Sequence, residues 1–198
     1  MKFLFQTLFP LKHSISIFLG SQKHILIQMF DSAKHAFYKM ARSYPLQTID
    51  MRHYIGWAKR LFKKKNITLD EEIIVNVVER CDYQPVYIQQ FLFDMWRSDN
   101  VDLPILEDIE KSVLSSQKNQ FIVLWDLLTQ NQKKALRLIA ETGGKGIYTA
   151  ELLQQAGFNS GSVLQRALSA LMEKEILSKN GTYQFQDAML KKWIQHLF

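Results

Sequence analysis

Ser162, Gln165, Arg166 and Ser169 recur at intervals of three and four residues, which on a helix places all four on one face. Hydroxyls, an amide and a guanidinium in that array suit contact with phosphates and base edges. Lys179, Asn180 and Thr182 follow closely, in a segment with hairpin character, and can meet a phosphate backbone. Bond-breaking chemistry has weaker candidates. Cys81, the single cysteine, falls on the apolar face of a helical stretch, so a buried, inert thiol is expected. His13, His24, His35, His53 and His196 lack partners at ligand spacing, and no metal site is expected. Gly143-Gly-Lys-Gly146 imitates part of a phosphate loop, but Lys145 is followed by glycine and the segment joins two helices. No Gly-x-Ser-x-Gly element or paired-carboxylate context supports hydrolysis.

These residues need elements to hold them. Apolar residues 3–9 suit a short helix that Pro10 ends, and Ser14–Gly20 suits a short buried strand. A strand cannot satisfy its own backbone groups, and the next hundred residues offer it no partner. From residue 50 the period is helical. Asp50 caps a helix with Met51, Tyr54, Ile55, Ala58, Leu61 and Phe62 inward, and Thr68 with Glu71 forms a capping-box pattern before another. Pro85 starts a third helix, Pro104 a fourth with Leu106, Ile109 and Val113, and Phe121, Leu124, Trp125 and Leu128 mark a fifth. Trp57, Trp96, Trp125 and Trp193 each fall on or beside an apolar stripe and read as core anchors.

The last seventy residues change character. Six of the eight glycines lie beyond residue 140 and no proline lies beyond 104. Thr129 with Gln132 forms a capping box, glycines 143, 144 and 146 end that helix, and Thr149 starts a short one. Ser160 starts a longer helix with Leu164, Ala167, Leu168 and Leu171 inward, Asn180-Gly181 marks a hairpin, and a final helix follows. Three helices and a hairpin in that order predict a winged helix-turn-helix.

The chain has 198 residues, 47% of them apolar and 12% aromatic, which excludes a disordered protein. One cysteine excludes a disulfide scaffold and points to a reducing, cytoplasmic setting. No uninterrupted apolar span is long enough for a membrane helix, and no membrane partner is expected. The charge is segregated. Residues 1–65 hold 12 basic and two acidic side chains, 66–128 hold four and 12, and 129–198 hold nine and five. Such blocks imply a modular chain with charged partners or internal complementarity.

Ile17-Phe-Leu-Gly-Ser-Gln-Lys-His24, then Met29-Phe30, then Ala36-Phe-Tyr-Lys-Met-Ala-Arg42 resembles the stretch that begins at the fourth core strand of archaeal-type AAA+ ATPases, relatives of the signal-transduction ATPases and origin-recognition initiators. Tyr83-Gln-Pro-Val-Tyr-Ile-Gln89 resembles the Gly-x-Pro segment of that family's helical lid, and a winged helix closes the family's chains. The resemblance spans essentially all 198 residues. It implies a mainly α architecture in three parts: an α/β ATPase-core remnant at 1–45, a helical lid at 46–128 and a winged helix at 129–198. It also implies departures. Gly-x-x-x-x-Gly-Lys-Ser/Thr and the paired magnesium-binding acids are absent, and Tyr83 stands where the lid has glycine. The expectation is therefore a truncated product, one part of a split gene or an excised piece, beginning just before the fourth core strand.

Within that resemblance Ser21 matches a polar sensor and Arg42 a residue that meets a γ-phosphate; a turn cap and a solvated arginine are their other readings. Pro85, Val86 and Tyr87 match the segment that touches adenine, or are simply helix start and core. ATP and magnesium are the family's cofactors, and none is expected for this chain alone. Three functions stay open: the non-catalytic lid and winged-helix portion of an AAA+-type ATPase, a winged-helix regulator that binds DNA, or a protein-interaction module pairing with an ATPase-bearing chain. The lone strand, with Ile15, Ile17, Phe18 and Leu19, would offer an edge to an ATPase-core fragment or to a second copy.

Overall fold

Apolar residues at helical spacing, punctuated by capping side chains, give nine helices and one two-stranded sheet among the described residues. The computed structural model describes residues 17–18, 23–42, 44, 46–98 and 101–197, and the chain divides into two compact units, Met1–Leu46 and Gln47–Phe198.

In the first unit α1 (Lys23–Asp31) leads into a run of turns. Phe30 is buried there, with the Phe18 ring 5.0 Å and the Phe37 ring 6.1 Å from its own. Ile25, Ile27, Met40, Tyr44 and Leu46 stay exposed. The expected helix at 3–9 lies outside the described residues. So does the expected strand Ser14–Gly20, except for Ile17 and Phe18, which are not in a strand.

The second unit begins with α2 (Met51–Lys63), α3 (Glu71–Arg80), α4 (Pro85–Ser98) and α5 (Leu103–Asp126). Asp50 caps α2, accepting from the Arg52 N–H at 2.8 Å and from its guanidinium at 2.9 Å. That guanidinium holds the Asp50 carboxyl down at about 2. The capping box expected at Thr68 and Glu71 does not form. The helix starts two residues later, behind Asp70, and the Glu71 carboxylate is taken instead by the Lys59 ammonium at 2.6 Å. The expected fourth and fifth helices are one helix of 24 residues. No glycine or proline interrupts 105–126, and Ser116 satisfies its hydroxyl by donating back to the Val113 carbonyl at 2.7 Å.

The winged-helix segment follows as α6 (Gln130–Thr142), α7 (Ala150–Gln155), α8 (Gly161–Glu173), β1 (Leu177–Asn180), β2 (Thr182–Phe185) and α9 (Ala188–Gln195). The Thr129–Gln132 capping box is complete. The hairpin is tighter than the expected two-residue turn: Asn180 pairs with Thr182, so Gly181 alone takes a positive φ, at 74°.

One apolar core runs through the unit, from Phe62, Ile74 and Phe91 to Leu136, Leu164 and Ile194. Cys81 is fully inside it, and burial pushes its thiol up to about 12. Polar contacts join the helices of 47–128 to α9. The Gln84 amide donates to the Gln186 carbonyl at 3.1 Å and accepts from the Ala188 N–H at 3.1 Å. The Tyr87 hydroxyl donates to Asp187 at 2.9 Å, and Asp187 also caps α9. Lys191 pairs with Asp82 at 3.0 Å. Deeper in, one Glu110 oxygen accepts from Lys192 at 2.8 Å and from Arg80 at 3.0 Å. Burial raises the Glu110 carboxyl, but the Lys192 ammonium and Arg80 guanidinium outweigh it and leave it below its usual value.

Candidate nucleic-acid interface

The face of α8 that carries Ser162, Gln165 and Arg166 is exposed because Leu164, Leu168 and Leu171 turn the opposite face into the core. Ser169 is half-buried at the edge of that face. Ser162 shares a hydrogen bond of 2.9 Å with Ser160, which starts the helix. Gln165 sits at the centre of a small cluster. Its carbonyl oxygen accepts from the Tyr148 hydroxyl and lies 3.4 Å from the Tyr183 hydroxyl, and its amide nitrogen is 3.4 Å from Ser169 Oγ. Sequence spacing gave no sign of this cluster, because Tyr148 precedes α7 and Tyr183 lies in β2.

The cluster sets the proton affinity of both phenols. Burial and the bond to Tyr183 push Tyr148 up to about 12. Burial also raises Tyr183, but its hydrogen bonds with Tyr148 and Lys179 outweigh it and hold it below its usual value. Lys179 lies 4.9 Å from the centre of the Tyr183 ring, so the expected wing cation rests on the hairpin itself. Asn180 is exposed at the wing tip, and Thr182 is half-buried.

Glycine is required at one point behind this face. Gly144 has φ 76°, and a Cβ placed on it would lie 2.1 Å from the Tyr183 carbonyl oxygen. The turn after α6 thus seats the wing strand directly. Two of its amides are occupied: Gly143 donates to the Ile139 carbonyl at 3.0 Å and Gly144 to Thr142 Oγ1 at 3.2 Å.

The face is thinly basic. Arg166 is the only cation in α8 and Glu173 its only acid. Lys134 donates to the Gly157 carbonyl at 2.8 Å, and Lys133 lies over Trp125, so neither is presented with Arg166. A shallow groove runs beside Arg166, lined by Thr129, Asn131, Val163 and Ala170. The other candidates lie elsewhere. Pro85 and Val86 are exposed at the start of α4, whereas Tyr87 is buried against Asp187 and Gln117. Arg42 is exposed in the first unit, and Ser21 lies outside the described residues. Among the described residues no group of histidine, cysteine or acidic side chains is placed to hold a metal, and no helix is long and apolar enough to cross a membrane.

Residues 119–196 match a family model described as "Probable winged helix domain". This segment is a winged helix. Across 87% of its length the chain also has the fold of a Walker-type ATPase of Pyrococcus abyssi, with a TM-score of 0.64 and 16% identity. It spans about half of that protein, 49% of the solved chain. The search of curated proteins returned no match. The resemblance to an archaeal-type ATPase therefore holds at the level of fold.

Proposed function

We propose that this chain is the lid and winged-helix portion of an AAA+-type ATPase and does not hydrolyse ATP alone. The observation that carries this reading is the shared fold over 87% of the chain against only 49% of the Pyrococcus abyssi ATPase. Residues 46–128 act as the lid and 129–198 as the winged helix. The hydrogen bonds that Gln84, Tyr87 and Glu110 share with the neighbourhood of α9 make the two move together. Movement of the lid would then carry the winged helix with it.

ATP and magnesium belong to the resembling family, and the glycine-rich turn at 143–146 does not fit a phosphate. A phosphate site needs free backbone amides aimed at the ligand. In the one glycine-rich turn those of Gly143 and Gly144 are already bonded, and the Tyr183 backbone fills the space a ligand would need. The exposed apolar residues of the first unit, Ile25, Ile27 and Met40, suit an ATPase-core partner. The polar face of α8, with a single arginine, suits protein contact better than strong DNA binding. The test is ATP turnover by the purified chain with magnesium. The reading expects no hydrolysis above a buffer blank. A rate that scales with chain concentration and follows the protein through gel filtration would overturn it.

A further inference from the structure

The C-terminal end of α2 meets the C-terminal end of α4 in a strip of cations and aromatic rings that the lid role does not use. The Lys65 ammonium donates to the Trp96 carbonyl at 2.8 Å and lies 4.1 Å from the centre of the Trp96 ring. The Phe93 ring is nearly parallel to Trp96, at 20° and 6.3 Å between centres, and 53% of Phe93 is exposed. The Arg97 guanidinium lies 5.8 Å from the Phe93 ring centre. On the α2 side Arg60, Lys63 and Lys64 are exposed and have no ion pair among the described residues. Helix α2 contains no acid, and α4 contains one, Asp94.

A simpler cause explains only part of this. Cations at the end of α2 suit the helix dipole, which accounts for Arg60 and Lys63. It does not account for an exposed phenylalanine lying nearly parallel to a tryptophan, with an arginine near its ring. An aromatic face bordered by cations is complementary to a polymer that alternates flat bases with phosphates. A duplex hides its base faces. An acidic peptide has no use for a stacking ring. A bilayer needs a broader apolar face than one phenylalanine among cations supplies. We propose that this strip binds single-stranded nucleic acid, with a base stacked on Phe93 and phosphates held by Arg97, Lys63 and Lys64.

The experiment uses the full chain and a fluorescein-labelled oligothymidine, read by anisotropy, beside a duplex of the same length and phosphatidylserine vesicles. The expected result is single-strand binding that exceeds duplex binding. Phe93→Ala should weaken it roughly tenfold, since a stacked base contributes that order of affinity. Phe93→Trp should restore it. The pair Lys63→Ala and Lys64→Ala should flatten the log–log salt dependence by roughly 1.4, about 0.7 per lost single-strand phosphate contact. Lys118→Ala, at an exposed position of α5, should leave the affinity unchanged. Because Phe93 is exposed, its variant should keep the parent's thermal midpoint, which separates lost contact from lost fold. No oligothymidine binding, equal binding to duplex, no effect of Phe93→Ala, or loss of binding in Lys118→Ala would each overturn the proposal. Phe93-dependent binding to vesicles without oligothymidine binding would overturn it in favour of a membrane surface.

Discussion

Glu110 offers the most direct perturbation of the joint between the helices of 47–128 and the winged helix. Its carboxylate joins α3, α5 and α9 through Arg80 at 3.0 Å and Lys192 at 2.8 Å. Each is a hydrogen bond between charged groups, individually about 1.5–3 kcal/mol when well buried. Here Glu110 is 12% exposed while Arg80 and Lys192 are 28% and 22% exposed, so solvent screens both pairs and relieves the cations left behind by a substitution. Glu110→Ala should therefore cost about 2 kcal/mol, less than the ~3–5 kcal/mol typical of breaking a fully buried pair. For a unit of this size that is a fall of about 4–8 °C in Tm. Urea titrations of Glu110→Ala, Lys192→Ala and the double variant would isolate the pair, with an expected coupling of about 1 kcal/mol. The pH dependence has a defined sign. The carboxyl is held below its usual 4.5 in the folded protein, so its contribution is complete above that value. It disappears as pH falls through the lower folded value. The stability gap between parent and Glu110→Gln should thus be constant near neutrality and shrink on acidification below about pH 4.5. A coupling under about 0.3 kcal/mol, or a gap that widens on acidification, would refute this account of the joint.

Other outcomes follow from single contacts. Gly144→Ala should destabilise by about 2 kcal/mol or more in thermal unfolding, because the turn needs a positive φ and the new Cβ meets the Tyr183 carbonyl. Tyr87→Phe should cost about 1 kcal/mol by urea titration, since it removes the hydroxyl between Asp187 and Gln117 while keeping the buried ring. The full chain should sediment with more copies per particle than the segment 47–198 at equal molar concentration, because the segment lacks the exposed Ile25, Ile27 and Met40. Any duplex binding by the winged helix should show a log–log salt slope no steeper than about −3, as Arg166, Lys179 and Lys145 supply only a few phosphate contacts.

What the sequence revealed was mostly local. Asp50, the Thr129–Gln132 pair and Thr149 announce their helices because a cap bonds to amides two or three residues away. The winged-helix order was legible from helix spacing and the Asn-Gly dipeptide, although the hairpin closed one residue tighter than that dipeptide suggests. The long α5 was read as two helices because its apolar stripe weakens around Ser115 and Ser116, where solvent-facing residues keep the backbone helical without a strong period. The Thr68–Glu71 pattern misled because a tertiary partner, Lys59, claimed the carboxylate. Contacts between distant segments were not legible: Glu110 with Arg80 and Lys192, and Tyr148 with Gln165 and Tyr183, are separated by tens of residues and follow no short-range period. The candidate face on α8 could be placed from its three-and-four spacing. That its central Gln165 is already held by two phenols could not.

The central claim is that this chain contributes lid and winged helix, with the nucleotide site lying elsewhere. A calorimetric titration of the full chain with magnesium-ATP tests it most directly. The account predicts no heat of binding up to millimolar nucleotide. Saturable binding in the micromolar range would contradict it and show that these residues form a nucleotide site of their own.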